Sequence, residues 1–176
     1  MKTIIQMDTR EKRGHKGHIL QAFQRHGLQH IRSKMYVGDY TLLNDQSTCI
    51  DVKQGLQEVY SNLIHSHERF RAECQRAQRA EIRLIVLVEE PGISSLDDVK
   101  EWENPRAAEY DELCEKIKAG LLPRDQKPKA PPIDSKRLSR IMRTMAELYG
   151  IEWHFCSPEQ TGDIIIKLLE ESKNHA

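Results

Sequence analysis

The chain has 176 residues, enough for one domain with a substantial core, and no apolar run of the length a membrane span needs. Lys plus Arg and Asp plus Glu balance at 27 each, so overall charge gives no support to wholesale electrostatic binding of nucleic acid. Four widely spaced cysteines (Cys49, Cys74, Cys114, Cys156) form no CxxC pair, which argues against a zinc ribbon and a disulfide scaffold and for a reducing, cytoplasmic compartment. The opening Met-Lys-Thr-Ile-Ile-Gln-Met-Asp turns polar too early for a signal peptide.

The charge is uneven along the chain. Residues 1–35 carry eight Lys/Arg against Asp8 and Glu11, whereas residues 89–115 carry ten acids against Lys100 and Arg106. Segregation of this kind can give a neutral protein a basic face. Thr3-Ile4-Ile5-Gln6-Met7 reads as a strand ending at Asp8-Thr9-Arg10-Glu11, and a loop rich in Lys, Arg and Gly follows through Gly17. Ile19, Leu20 and Phe23 fall at helical spacing up to His26, with Gly27 as the stop, and a second strand is expected over 28–36. Thr41-Leu42-Leu43 and Cys49-Ile50-Asp51-Val52-Lys53 read as the arms of a hairpin turned by Asn44-Asp45-Gln46-Ser47. Leu56, Val59, Leu63, Phe70 and Cys74 predict one long helix over 56–80, whose other face carries Arg69, Arg71, Arg76 and Arg79.

The run from Ile82 to Val88 is the most hydrophobic and reads as a buried strand. Residues 93–133 are acidic first, carry a helix expected over 107–120, and then become rich in proline and lysine. They are expected to form an insertion or mobile arm outside the core. Leu138, Ile141, Met142, Met145 and Leu148 predict a helix stopped by Gly150, and residues 151–156 a strand. Ser157-Pro158-Glu159 opens a last helix with Ile164, Ile165, Leu168 and Leu169 inside. The order β-α-β-β-β-α-β-(insert)-α-β-α predicts a single α/β layer domain over 1–176 with a mixed sheet.

Side chains alternate along a strand, so Ile50 and Val52 point into a core while Asp51 and Lys53 share the opposite face. A hairpin folded near residue 46 brings Asp39 back beside Asp51. Two carboxylates and an ammonium then converge at one end of a small sheet, which points to a divalent-metal hydrolase centre. Blander alternatives stand beside this one. Asp39 after Gly38 suits a turn, and Asp51 with Lys53 suits an ion pair on an exposed strand, worth about 0–1 kcal/mol. The arginines of 69–83 suit a solvated helix face, with Glu68, Glu73 and Glu81 interleaved. His15-x-x-His18 and His65-x-His67 have no matched Cys/His pair elsewhere and are expected at the surface. Trp102 and Trp153 are expected to pack rather than to stack on bases.

With these blocks in order, the chain resembles the XPF-type structure-specific nuclease domain, a branch of the PD-(D/E)xK superfamily. Asp8-Thr9-Arg10-Glu11 is similar to that family's Asp-x-Arg-Glu block, and Val37-Gly38-Asp39-Tyr40 resembles its Gly-Asp-Tyr. Ile50-Asp51-Val52-Lys53 stands where the family has hydrophobic-Glu-Arg-Lys. Arg69-Phe70-Arg71-Ala72-Glu73 sits where a helical Arg-Leu-x-x-Gln follows. The strand from Leu84 to Glu89 and the turn Ser157-Pro158-Glu159-Gln160-Thr161 complete the match, which covers residues 3–90 and 136–172. Departures are Asp51 for Glu, Val52 for Arg, and Gln57 where the family often has an Asp. No helix-hairpin-helix module follows, so its dimerisation and duplex binding are not carried over.

The resemblance implies a restriction-endonuclease-like (PD-(D/E)xK) three-layer fold, with helices flanking a mixed central sheet. It implies a metal-dependent DNA endonuclease that hydrolyses phosphodiesters in branched, flapped or single-strand-containing DNA. Mg²⁺ or Mn²⁺ would be held by Asp39, Asp51 and the backbone carbonyl of Val52, with Asp8 and Glu11 widening the acidic cluster. Lys53 would orient the attacking water or stabilise the phosphorus centre. Arg10 would contact phosphate or brace a carboxylate. Lys12, Arg13, Arg69, Arg76 and Arg79 are candidate contacts to the DNA backbone. DNA is the expected partner, a homodimer or a partner protein is compatible with the family, and neither a membrane nor an organic cofactor is expected. The architecture would suit a bacterial or phage-host cytosol. The alternative is a non-catalytic DNA-binding or assembly module that keeps the nuclease fold.

Overall fold

The computed structural model of the chain describes residues 3–10, 16–126 and 130–172. Six strands form one mixed sheet in the order β2-β1-β3-β4-β5-β6. They are β1 (Ile4–Met7), β2 (Gln29–Arg32), β3 (Tyr40–Leu42), β4 (Asp45–Lys53), β5 (Arg83–Glu89) and β6 (Glu152–Cys156). β3 is antiparallel to both of its neighbours, β1 and β4. β2 runs parallel to β1, and β4, β5 and β6 run parallel to one another. The helices are α1 (Gly17–Arg25), α2 (Leu56–Ile64), α3 (His67–Arg79), α4 (Pro105–Lys118), α5 (Ser135–Tyr149) and α6 (Thr161–Ser172).

Burial sorts these elements into three layers. Ile19 and Phe23 of α1 and Ile165 and Leu169 of α6 pack with Ile5, Tyr40, Ile50 and Leu87 on one face of the sheet. Leu56 and Leu63 of α2, Phe70 and Cys74 of α3, and Leu138 and Met142 of α5 pack with Leu84, Val86 and Val88 on the other. β5 is covered on both faces, which is why its run Leu-Ile-Val-Leu-Val shows no alternation. Among the described residues no helix is long and apolar enough to cross a membrane.

Several local expectations differ from the structure. The helix expected over 56–80 is two helices, broken at His65 and Ser66. Seven residues separate Leu63 from Phe70, about two helical turns, so a continuous helix and a broken pair bury the same positions and periodicity does not distinguish them. The second strand is only Gln29–Arg32, an exposed edge, and the chain bends through 36–39 before β3. β4 begins at Asp45, which pairs with Leu42, so Leu43 and Asn44 make the turn. Residues 93–104 do not lie outside the core. Val99 is fully buried, Leu96 and Trp102 pack beside it, and Ser139 Oγ donates to the Leu96 carbonyl at 2.6 Å. Beyond Asn104, no residue of α4 is buried. Leu148 was placed in the apolar stripe of α5 but is 60% exposed.

Candidate functional site

The register of the hairpin builds the site. Tyr40 pairs with Ile50, so the next residues outward, Asp39 and Asp51, lie opposite each other. Gly38 makes the approach possible. Its φ is +67°, and a Cβ there would sit 3.1 Å from the Ile50 carbonyl oxygen, so the chain lies against β4 only because the residue is glycine. Asp39 N then donates to the Ile50 carbonyl at 2.8 Å, and Asp39 Oδ2 accepts from Val52 N at 2.9 Å. The Asp39 carbonyl accepts from Asp8 N at 2.9 Å, which ties the ends of β1, β3 and β4 together.

Asp51 and Lys53 share a face of β4, and both are buried. Lys53 Nζ donates to Asp51 Oδ1 at 2.8 Å and lies 2.7 Å from Oδ2, in ion-pair contact. Asp51 Oδ2 is buried yet accepts no aligned hydrogen bond among the described residues. With side-chain exposures of 9% and 5%, Lys53 and Asp51 are not the exposed ion pair that sequence left open. Burial alone would lower the Lys53 amine, but the charges of Asp51 and Asp39 outweigh it and hold the amine above its ordinary range. Asp39 moves the other way from an ordinary carboxylate. Burial first, and then the charge of Asp51, push it up to about 8, against the opposing pull of Lys16 and Lys53.

Asp8 and Arg10 form a separate brace. Arg10 donates from its backbone N and from Nε and Nη2 to the two Asp8 oxygens, and Nη2 also donates to the Met35 carbonyl at 3.0 Å. Burial works to raise the Asp8 carboxyl, but the hydrogen bonds and charge of Arg10 prevail and hold it below the usual range. Arg10 thus engages both Asp8 oxygens, while Lys53 engages Asp51 and Val52 N engages Asp39 Oδ2. Glu11, Lys12 and Arg13 lie outside the described residues. Among the described residues, no three His, Cys, Asp or Glu side chains form a ready-made metal cage.

Two further site residues come from helices that sequence did not connect to the hairpin. Glu73 of α3 accepts from Gly38 N at 3.0 Å, and burial together with Asp51 raises its carboxyl. Lys16, read as part of a loop, precedes α1 and is buried, with Nζ 4.9 Å from the centre of the Tyr40 ring. Burial lowers its amine, and the charges of Asp39 and Asp51 work against that. The missed signal in both is tertiary: a single Lys in a basic stretch and a single Glu among arginines look like solvated charge until the helices dock.

These groups line a cleft of about 950 Å³, with Asp39, Asp51, Lys53 and Glu73 inside and Arg10, Lys34, Arg69 and Arg76 also lining it. Arg76 Nε donates to the Tyr36 carbonyl at 3.4 Å, which links α3 to the bend before β3. Arg79 is not among the lining residues. His65 and His67 are exposed as expected, whereas His18 is half-buried and bonded to Glu89 Oε1 at 2.8 Å. Trp153 packs, its Nε1 donating to the Met142 carbonyl at 2.9 Å.

Comparison with known proteins gives one family and one fold. The ERCC4 domain model matches residues 7–168. The structure is similar to XPF from Aeropyrum pernix, with a TM-score of 0.60 and 18% identity over 97% of this chain and 65% of that one. It is similar also to XPF from Aeropyrum pernix in complex with DNA, with a TM-score of 0.57 and 18% identity over 98% of this chain and 66% of that one. The chain thus spans just under two thirds of the length of these two structures. The mixed sheet between helical layers is the fold that the motif order implies. No curated protein sequence matches the chain significantly.

Proposed function

Because the chain belongs to the ERCC4 domain family, we propose that it is a divalent-metal-dependent DNA endonuclease acting on branched, flapped or single-strand-containing DNA. The observation that carries this reading is the group formed by buried Asp51 and Lys53 and half-buried Asp39 at the end of the hairpin, open to a cleft that Arg10, Arg69 and Arg76 also line. The DNA complex of the Aeropyrum pernix protein supports DNA as the ligand.

The donor set fits a hard cation. The charge of Asp51 adds to burial in raising Asp39, and Asp51 Oδ2, though in ion-pair contact with Lys53, accepts no aligned hydrogen bond among the described residues, so a cation there would relieve the repulsion. Mg²⁺ commonly takes one or two carboxylates and fills its remaining positions with water and substrate phosphate, so no three-residue cage is needed. Asp39 and Asp51, with the Val52 carbonyl, would hold Mg²⁺ or Mn²⁺, which when bound supplies Lewis acidity at the phosphate and a more acidic water.

The chain's own residues do the rest. Lys53 keeps its ammonium against Asp51 and stabilises negative charge developing on the phosphoryl oxygens. Arg10, with Nε and Nη2 held by Asp8 and the Met35 carbonyl, offers Nη1 to a phosphate. Arg69 and Arg76 hold the DNA backbone in position without reading sequence.

The test is cleavage of end-labelled flap and branched DNA by the purified chain in Mg²⁺, Mn²⁺ or chelator. Cutting is expected only with metal, and Asp51→Asn, Asp39→Asn and Lys53→Ala are each expected to lose about 10²-fold or more in rate with folding checked by circular dichroism. Lys53→Arg is not expected to rescue, since the bulkier fork does not reproduce a point charge. Variants that cut as fast as the parent would overturn the site assignment. DNA binding without any metal-stimulated cutting would favour the non-catalytic module.

A further inference from the structure

We infer that Tyr36, between Lys34 and the Arg76 anchor, is a stacking subsite for one unpaired nucleotide next to the phosphate held in the cleft. This inference rests on the nuclease reading for the position of that phosphate, and it narrows the substrate to DNA that is single-stranded beside the cut.

Among the described residues four large hydrophobic side chains are exposed, Ile31, Tyr36, Leu121 and Leu148, and of these only Tyr36 lines the cleft. Its 61% exposure is not the slack of a loose loop. Met35 and Val37 on either side are buried at 5% and 1% and anchor the segment in the core. The Met35 carbonyl accepts from Arg10 Nη2 at 3.0 Å and the Tyr36 carbonyl accepts from Arg76 Nε at 3.4 Å, so the backbone is also tied from two sides. The fold therefore holds a phenol ring out of the core beside the carboxylates. The Tyr36 ring is not among the described side chains packed against the core, whereas both tryptophans are.

The surroundings select the ligand. Lys34, Arg10, Arg69 and Arg76 line the same cleft, a cationic setting for a phosphodiester backbone. An aromatic ring set among such groups is the common device for holding single strands, because every base offers a π-face. In an intact duplex those faces are already stacked on neighbouring pairs, so the ring can engage a base only where the strand is open. Recognition of this kind tolerates any sequence.

The experiment is anisotropy of the full chain in chelator, titrated onto a short fluorescein-labelled single strand and onto the duplex of the same sequence. Tyr36→Ala is expected to weaken single-strand binding about 5-fold to 150-fold while leaving duplex binding near that of the parent. Its salt dependence should be unchanged, whereas Arg76→Gln should flatten it by losing a phosphate contact. Tyr36→Trp is expected to bind the single strand at least as tightly as the parent. Equal losses on the two DNAs, no loss on the single strand, or a parent that binds neither would overturn the subsite. Failure of the nuclease reading shows separately, as absence of metal-stimulated cutting by the parent with this binding pattern intact.

Discussion

At the scale of single residues, the consequence of facing Asp39 with Asp51 is a proton. Raised to about 8 by burial and by Asp51, Asp39 is protonated in the folded protein at neutral pH, whereas in the unfolded chain it ionises near its ordinary 3.8. Between those values the folded state holds a proton that the unfolded state does not, so stability contributed by this residue falls as pH rises from about 4 to about 8. Glu73, also raised, works in the same direction. Urea midpoints in chelator at several pH values should therefore decline for the parent over this range and decline less for Asp39→Asn. A parent whose midpoint climbs steadily to pH 8 would contradict the arrangement. Strand alternation makes this pairing legible in part, but the turn lies at Leu43 and Asn44 rather than near residue 46, and a register shift between Thr41 and Leu42, which no sequence pattern records, is what brings Asp39 opposite Asp51. Lys16 and Glu73 are not legible, because they arrive from helices whose docking no local pattern records.

At the scale of elements, the contact between α1 and α6 decides where one side of the cleft lies. Gly162 near the start of α6 lets the two helices touch. A Cβ there would fall 2.4 Å from Ala22 Cβ, closer than the two atoms can stand, and a tight 3.1 Å from Ile19 Cα. Gly162→Ala should force α1 outward and cost about 1–3 kcal/mol, read from urea denaturation. Ala22→Gly in the same chain should recover part of the loss, with a coupling energy of about 0.5–3 kcal/mol. Additive losses would mean that the helices are not in register as described. The expectations that differ at this scale have local causes. An apolar spacing of seven residues hides the break between α2 and α3, and Asn44-Asp45-Gln46-Ser47 contains enough turn formers to mask that β4 already begins at Asp45. β5 and the helix from Ser135 were plain because burial on both faces and a capped apolar stripe each leave a distinctive pattern. Asp134 caps that helix by accepting from Arg137 N at 2.6 Å, and Gly150 closes it at φ +67°.

For the molecule as a whole, the excursion after Asn104 is separable from the layers that build the site. Its ends meet, with Asn104 Nδ2 donating to the Ile133 carbonyl at 3.2 Å, and no described residue between them lines the cleft. Replacing residues 105–132 by a short Gly/Ser linker should change stability by no more than about 1 kcal/mol, because closing a loop depends only weakly on its length. It should also leave metal-stimulated cutting in place. An unfolded product would show that the segment belongs to the core. The account as a whole turns on whether the buried carboxylates take a cation, and calorimetric titration of the intact chain with Mn²⁺ near pH 7 asks this directly. Binding is expected at millimolar metal or below, accompanied by release of close to one proton as Asp39 ionises, and it should be lost in Asp51→Asn. No heat of binding at millimolar Mn²⁺, or binding unchanged by Asp51→Asn, would contradict it.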